Sequence, residues 1–596
     1  MFNSIKKPSR LGQWDGRRRS SRNEELALLR LWKPPVVLRL ATVLATMLVA
    51  TFLAYRAGPP MSYRVGEVYA TDIKVRAAFE VVNQPATDLA RVEAVVQQLS
   101  VTEIADPAAR ERAALAVPPV VDPYKYGAVL VRHGQPITEA QLNLLKQEHR
   151  AYLRSLTPGD RARRGTALLL ILSQLALVVL LYVVRFQAAL AQNLVKVASV
   201  CAGVVLTLAL ALFVSGPPWY AVLVPLTVTA MVLTIAYNPQ FALLMSFCLS
   251  LATTVALGYN LERLLIQMSG LATAVLLLRS VSTRTRLVQV GLGAGLAYFA
   301  MSVATGLMSA QPWRPILWEA GLNFVWGALA GFLLTGSLPL VERCFGIITD
   351  VRLLELADGS HPLLQELVRR APGTYTHCMI VATLAEAAAE AIGANPMLAR
   401  VGSYFHDVGK MLKPHYFIEN QLGENRHDSL EPALSTLVVI GHVKDGLALA
   451  RQYDLPRPIV DFIAQHHGTT LVEYFFREAL RLQENQGQGS TELEASFRYP
   501  GPKPQNRENG IVMLADAAES SSRALKEPAP GSLRKLVHDL LMKRLLDGQF
   551  EQSGLTLSEL HLIEDNLATN LTALYHGRIK YPEESQTVPD DVRQAS

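Results

Sequence analysis

The sequence predicts a multidomain membrane protein with three parts: an α-helical transmembrane bundle, a small α+β extracytoplasmic domain and an all-α cytosolic domain. Three observations predict it. Half of the 596 residues are apolar and only 18% are charged, which is too apolar for a soluble multidomain chain. The apolar residues gather into eight long runs, one near the start and seven in succession. After them the sequence turns polar, with helical patterning and a series of histidines and aspartates.

Residues 1–34 are polar and basic, with Lys6, Lys7, Arg10, Arg17, Arg18, Arg19 and Arg22. They read as a cytoplasmic tail. Residues 35–55 are apolar except for Arg39, and about 20 such residues span a bilayer as a helix. A cleaved signal peptide is the rival reading, with Ala54-Tyr55-Arg56-Ala57 as its cleavage site. The apolar core is too long for that and the basic lead-in too extended.

Residues 56–165 have a water-soluble composition and are expected to form the extracytoplasmic domain. Ala86 to Leu99 carries a helical apolar pattern, which Pro118-Pro119 and Pro123 end. Ala128 to Val131 reads as a strand and His133-Gly134 as its turn. Thr138 with Gln141 three residues later is a capping box for the next helix. With no metal motif or nucleophile signature, this part is a binding or sensing module for an extracytoplasmic signal, or a spacer.

Seven transmembrane helices are expected within residues 166–338, over 166–184, 195–214, 219–237, 240–257, 264–278, 287–308 and 318–338. The runs lack the polar face of helices buried in a soluble core, though 264–278 is short for a span. Arg279, Arg284 and Arg286 make one connecting loop basic, whereas 309–317 holds only Arg314. The loop at 279–286 and the N-terminus then belong in the cytoplasm, as does everything after the last span. The net charge of +6 fits this topology better than a nucleic acid polymer as partner. No train of intramembrane acids argues for an ion-coupled transporter. Residues 339–349 form a connector, 350–582 a helical cytosolic domain, and 583–596 a disordered tail. Within 350–582, Gly393 suits a helix C-cap and Asn485 to Asn509 reads as a loop. None of the four cysteines pairs as C-x-x-C, so neither a disulfide nor a zinc finger is expected.

The chemistry gathers between His377 and Asp516. His377 comes first, then His406-Asp407-Val408-Gly409-Lys410, then His442, His466-His467 and Asp516. Imidazole and carboxylate are common ligands for transition metals. Adjacent residues on a helix point about 100° apart, so His406 and Asp407 can serve different ions, or Asp407 can bridge two.

His377, His406-Asp407 and Asp516 resemble the H…HD…D signature of the HD-domain metal-dependent phosphohydrolases, and His442, His466 and His467 resemble the extra ligands of its two-metal branch. With one helix, an outer domain and seven spans ahead of it, the whole order resembles the seven-transmembrane-receptor HD-hydrolase family, whose characterised members are cyclic-di-AMP phosphodiesterases. His427-Asp428-Ser429-Leu430-Glu431-Pro432 and Gln465-His466-His467-Gly468-Thr469 fit that family as well. The resemblance implies an HD-type fold, an inner-membrane location and two divalent metal ions, manganese or iron. One ion would take His377, His406, Asp407 and Asp516. The other would take His442, His466, His467 and the far oxygen of Asp407. Asp407 suits the bridge because a carboxylate offers two oxygens.

The expected activity is hydrolysis of cyclic di-AMP to pApA, regulated by the outer domain and the bundle, in a possible homodimer. Asp407 and Lys410 are the expected catalytic residues. Lys410, one turn after His406, is placed to hold a phosphate oxygen, with a surface lysine as the alternative. His427 is expected to line the substrate groove. Tyr404, Phe405, Tyr416, Phe417 and Phe475-Phe476 read as core rather than as adenine platforms. One competing reading is a receptor whose HD domain binds nucleotide without turnover, but no ligand position is missing. The other is hydrolysis of another cyclic dinucleotide, cyclic di-GMP, although no Gly-Tyr-Pro follows His466-His467.

Overall fold

The computed structural model describes residues 34–576, apart from residues 62, 70, 100–103, 105, 218, 279–280, 282, 422, 424, 485–490 and 526–527. The basic tail up to residue 33, Arg279 and the tail at 583–596 lie outside the described residues. The chain forms two compact units, divided between Phe345 and Gly346.

The first unit opens with α1 (Pro34–Arg56). A small α+β domain follows. It contains β1 (Ile73–Lys74), β2 (Phe79–Val82), α2 (Gln84–Gln98), α3 (Pro107–Ala116), β3 (Val121–Tyr124), β4 (Val129–Val131) and α4 (Glu139–Ser155). Its strands pair antiparallel as β1 with β4 and β2 with β3. Thr138 and Gln141 form the expected capping box at α4. Ile73, Val75, Leu130, Val131, Ile137 and Leu145 make its small core. Beside that core, Glu148 is 2% exposed and takes three hydrogen bonds from the backbone and guanidinium of Arg76. This satisfies a carboxylate that would be costly to bury alone. Gln311 of the bundle exchanges two hydrogen bonds with the Val68 backbone, which ties the domain to the membrane helices.

The bundle contains α5 (Pro158–Phe186), the short α6 (Ala188–Gln192), α7 (Leu194–Phe213), α8 (Leu223–Ala236), α9 (Pro239–Leu257), α10 (Leu261–Leu277), α11 (Arg284–Met308) and α12 (Trp313–Phe345). Each of the eight expected spans is a helix. Six of them are long and apolar enough to cross a membrane: α1, α5, α7, α9, α11 and α12. The other two fall short of that length; α10 is slightly longer than expected, whereas α8 is shorter. α10 has 17 residues, and α8 has 14, or about 21 Å of helix against a core of about 30 Å. α8 is cut short by Gly216 and Pro217 ahead of it and by Asn238, the N-cap of α9, behind it.

α11 and α12 meet through two matched pairs of glycines, Gly291 and Gly295 against Gly327 and Gly331. A Cβ on Gly291 would lie 2.7 Å from the Gly331 Cα, and one on Gly295 would lie 2.6 Å from the Phe324 carbonyl oxygen. Both pairs have the four-residue spacing that lets membrane helices approach closely. Two buried polar pairs lie on these helices. Tyr298 shares a hydrogen bond with Thr227, and Asn323 donates to Ser302.

The second unit is helical: α13 (Asp350–Leu356), α14 (Pro362–Arg370), α15 (Pro372–Ala391), α16 (Pro396–Phe405), α17 (Pro432–Gln452), α18 (Arg457–Gln465), α19 (Glu473–Glu484), α20 (Thr491–Ser496), α21 (Arg507–Ser522), α22 (Pro530–Leu546) and α23 (Leu557–His576). Proline occupies the first position of α14, α15, α16, α17 and α22. Its missing N–H costs nothing there. α15 is apolar nearly all round and feeds two cores. Val381, Leu384 and Ala388 join α21 and α23 in one, while Cys378 and Ala382 join α14, α16 and α18 in the other. α17 is also long and apolar enough to span a bilayer, but it carries the buried His442 and packs within this unit. The stretch 485–509, expected as a loop, contains α20 and the first turn of α21.

Replacing Gly295 with leucine is expected to destabilise the bundle by about 1–3 kcal/mol, since backbone on the facing helix must move. A lower melting temperature of the full chain in detergent would register it. An unchanged value would mean the helices do not pack this closely.

Candidate metal centre

Seven side chains from five helices and their ends converge here. His377 lies on the inner face of α15 and His442 on α17. His406 is the C-cap of α16, and Asp407 leads into a short 3-10 helix at Val408–Leu412. The pair was expected on a continuous helix. Instead the helix breaks between them, with Asp407 at φ −110° and ψ 15°. Gly409 explains the break, because a Cβ there would collide with the His442 carbonyl and the Gly446 nitrogen. Glycine therefore lets the 3-10 helix lie directly against α17, which sets Asp407 beside His442. His466-His467 repeats the arrangement at the C-terminal end of α18. Asp516 comes from the middle of α21.

The ligand atoms fall into two groups that share Asp407. Asp407 Oδ2 is 3.4 Å from His377 Nε2 and 3.2 Å from His406 Nε2. Asp407 Oδ1 is 3.3 Å from His442 Nε2 and 3.5 Å from His466 Nε2. Asp516 Oδ1 is 3.1 Å from His377 Nε2, and its Oδ2 is 3.7 Å from His467 Nδ1. Within each group, His377, His406, Asp407 and Asp516 or Asp407, His442, His466 and His467, the ligand atoms lie within 4.8 Å of one another. His406 and Asp407 are 0% exposed. His467 is the most open, and its ring stacks on Tyr499 at 4.3 Å.

Each inner imidazole is oriented from behind. His377 Nδ1 lies 2.6 Å from Glu519 Oε2, His406 Nδ1 2.7 Å from the Ser403 carbonyl, and His442 Nδ1 2.6 Å from the Val439 carbonyl. His466 Nδ1 faces the carbonyls of Phe462 and Ile463. With the proton fixed on Nδ1, the Nε2 lone pair points into the cluster. His377 Nε2, His406 Nε2 and Asp407 Oδ1 are buried without a hydrogen-bond partner. Each such atom costs about 1–3 kcal/mol, and three converge on one point. These residues fit a bound cation.

The electrostatics agree. Burial pushes the Asp407 carboxyl up, but Lys410, His406 and His377 hold it well below the usual carboxylate range. Asp516 is likewise held down against burial by His377, His406 and His467. Burial lowers His377, yet Asp407, Asp516 and Glu519 raise it well above an ordinary histidine. The field that favours a proton there also favours a metal. On the other side, burial drops His442 to about 4 and, with His466, holds His467 well below its usual value. These imidazoles stay neutral and keep a lone pair at physiological pH.

Lys410 is no surface lysine. Its Nζ lies 2.6 Å from Asp407 Oδ2 and 3.2 Å from Glu419 Oε1, over the Phe417 ring. It faces the Asp407 carboxylate because the 3-10 turn swings it there. His427 stands apart from the cluster. Its Nε2 lies 2.9 Å from the Tyr416 carbonyl, and its ring sits 4.9 Å from Phe475. Tyr404 and Phe405 are core, as expected. Phe417 is also buried, but it packs edge-on to His442 and so borders the cluster.

Glu519, Glu419 and Tyr499 went unremarked in the sequence. Glu519 follows Asp516 by three residues, the helical spacing that returns to the same face, so a signal for it existed. Tyr499 reaches the site from the stretch read as a loop, and nothing local marks it. Removing the Glu519 carboxylate by Glu519→Ala is expected to weaken metal binding about 10- to 100-fold. Glu519→Gln, which keeps an acceptor, should weaken it less. Titration of the apo chain with manganese measures both. Equal affinity in Glu519→Ala would remove Glu519 from this role.

Residues 164–349 match the family described as "7TM receptor with intracellular HD hydrolase", and residues 374–520 match the HD domain. The chain is 38% identical over 377 residues to the cyclic-di-AMP phosphodiesterase PgpH of Bacillus subtilis (strain 168), covering 61% of this chain and 52% of that protein. It is 37% identical over 370 residues to PgpH of Listeria monocytogenes serotype 1/2a (strain 10403S), covering 61% and 51%. The chain thus spans about half the length of the curated relatives it matches. The L. monocytogenes PgpH HD domain solved in complex with cyclic di-AMP aligns at 43% identity and a TM-score of 0.35, over 37% of this chain and 100% of that one. The chain thus matches, part by part, both the membrane bundle and the HD domain of the seven-transmembrane-receptor HD-hydrolase pattern.

Proposed function

We propose that this protein is a membrane-anchored phosphodiesterase that hydrolyses cyclic di-AMP to linear pApA at a pair of divalent metal ions. The observation that carries the proposal is the division of Asp407, with one oxygen toward His377 and His406 and the other toward His442 and His466. A carboxylate with two oxygens committed to two imidazole sets is the arrangement that a shared ligand requires. The cyclic-di-AMP phosphodiesterase activity of the PgpH relatives supports the choice of substrate.

In this reading His377, His406, Asp407 and Asp516 hold one ion, and Asp407, His442, His466 and His467 the other. When bound, such a pair supplies a water of lowered pKa and neutralises charge on the phosphate. The protein's own part is to fix geometry and charge. The Nδ1 contacts with Glu519, Ser403, Val439 and Phe462 lock the imidazoles. Lys410 keeps a positive charge at the edge of the cluster, where a phosphate oxygen can exchange for its contact with Asp407. His427, walled by Tyr416 and Phe475, is the proposed groove residue. The second unit and the N-terminus lie in the cytoplasm, where a cyclic dinucleotide would reach them. Binding without turnover is the weaker reading, because all seven ligand positions are filled by metal-binding side chains.

The test is an assay of the full chain with cyclic di-AMP and cyclic di-GMP in the presence of manganese. The proposal expects turnover of the adenine dinucleotide to pApA and loss of at least 1,000-fold (about 4 kcal/mol) in Asp407→Ala. A strong preference for cyclic di-GMP overturns the substrate, and substantial turnover by Asp407→Ala overturns the bridge.

A further inference from the structure

The membrane unit contains a site that the metal chemistry does not use. A cavity of about 260 Å³ lies between α1, α5, α7 and α9. On α1 its wall runs from Val36 to Ala50, about 21 Å at a rise of 1.5 Å per residue. Val43, Met47, Leu175 and Val179 are typical of the lining, and Arg39 is the one charged residue in it. Arg39 sits near the N-terminal end of α1. Its Nε donates to the Pro35 carbonyl at 2.7 Å and its Nη1 to the Ala191 carbonyl. Among the described residues its Nη2 has no partner.

These dimensions identify the occupant. Half of a bilayer's hydrocarbon core is about 15 Å deep, and from Arg39 to Ala50 the groove descends about 16 Å. From Arg39 inward the groove is about one leaflet deep, apolar along that length, with a cation at its outer end. The Arg39 guanidinium at that end favours an anionic headgroup.

We propose that this groove binds one anionic phospholipid, with an acyl chain along Val43, Met47 and Leu175 and the phosphate on Arg39. An Arg-to-phosphate contact is directional and charge-assisted. An acyl chain fills space that no side chain fills, at a depth where water has no partners. The site therefore discriminates by headgroup at one end and accepts any chain at the other. The binding is independent of the hydrolase chemistry.

The experiment uses the full chain in detergent, with palmitoyl-oleoyl phosphatidylglycerol and phosphatidylcholine offered in equal amounts. Native mass spectrometry counts the lipids retained. The unaltered chain is expected to keep phosphatidylglycerol with a preference of about fivefold, the factor for one charge near a membrane surface. Arg39→Gln should reduce the preference to near one while still retaining lipid. Ala176→Leu, which fills the groove, should lose both lipids with the melting temperature maintained. Equal retention of the two lipids by the unaltered chain, a full preference surviving in Arg39→Gln, or undiminished lipid on Ala176→Leu would each overturn the proposal.

Discussion

The Asp407 carboxylate is the constraint around which the second unit is arranged. It is wholly buried, and its Oδ1 has no hydrogen-bond partner. A buried ionised carboxylate is tolerated only beside compensating charge. Lys410 supplies part of that compensation, at 2.6 Å. The remainder falls to the imidazoles on either side and to whatever cations they hold. The other features of the site serve this placement. Proline-led helices fix where α15, α16 and α17 begin. Gly409 lets backbone touch backbone at α17, and Glu519 steadies His377 from behind.

The order of the ligands was legible in the sequence because few residue types bind transition metals and the spacing limits how they can meet. Reading local geometry was harder. The His406-Asp407 pair suggested one continuous helix, yet the chain breaks there, because Gly409 answers to α17, some 35 positions downstream. Lys410 followed the same error. Counted along a helix it belongs with His406, but the 3-10 turn delivers it to Asp407. Glu519 was within reach of helical spacing, whereas Tyr499 depends on how an irregular stretch folds back and left no periodic trace.

The membrane half shows the same division. Hydropathy located all eight helices, because apolar length is a property of each segment alone. It marked the α10 stretch as short for a span, but it did not reveal that α8 is shorter still. Nor did it reveal that Gly291 and Gly295 face Gly327 and Gly331, since a shared face depends on both helices at once. Arg39 looked like a mere interruption in a span. In the structure it is the polar end of an otherwise apolar groove.

The most direct measurement is anomalous scattering at the manganese edge from crystals of the metal-loaded protein. The account predicts two peaks per chain, about 3.5–4 Å apart, with one oxygen of Asp407 on each. A single peak, or a second ion that does not touch Asp407, would contradict it.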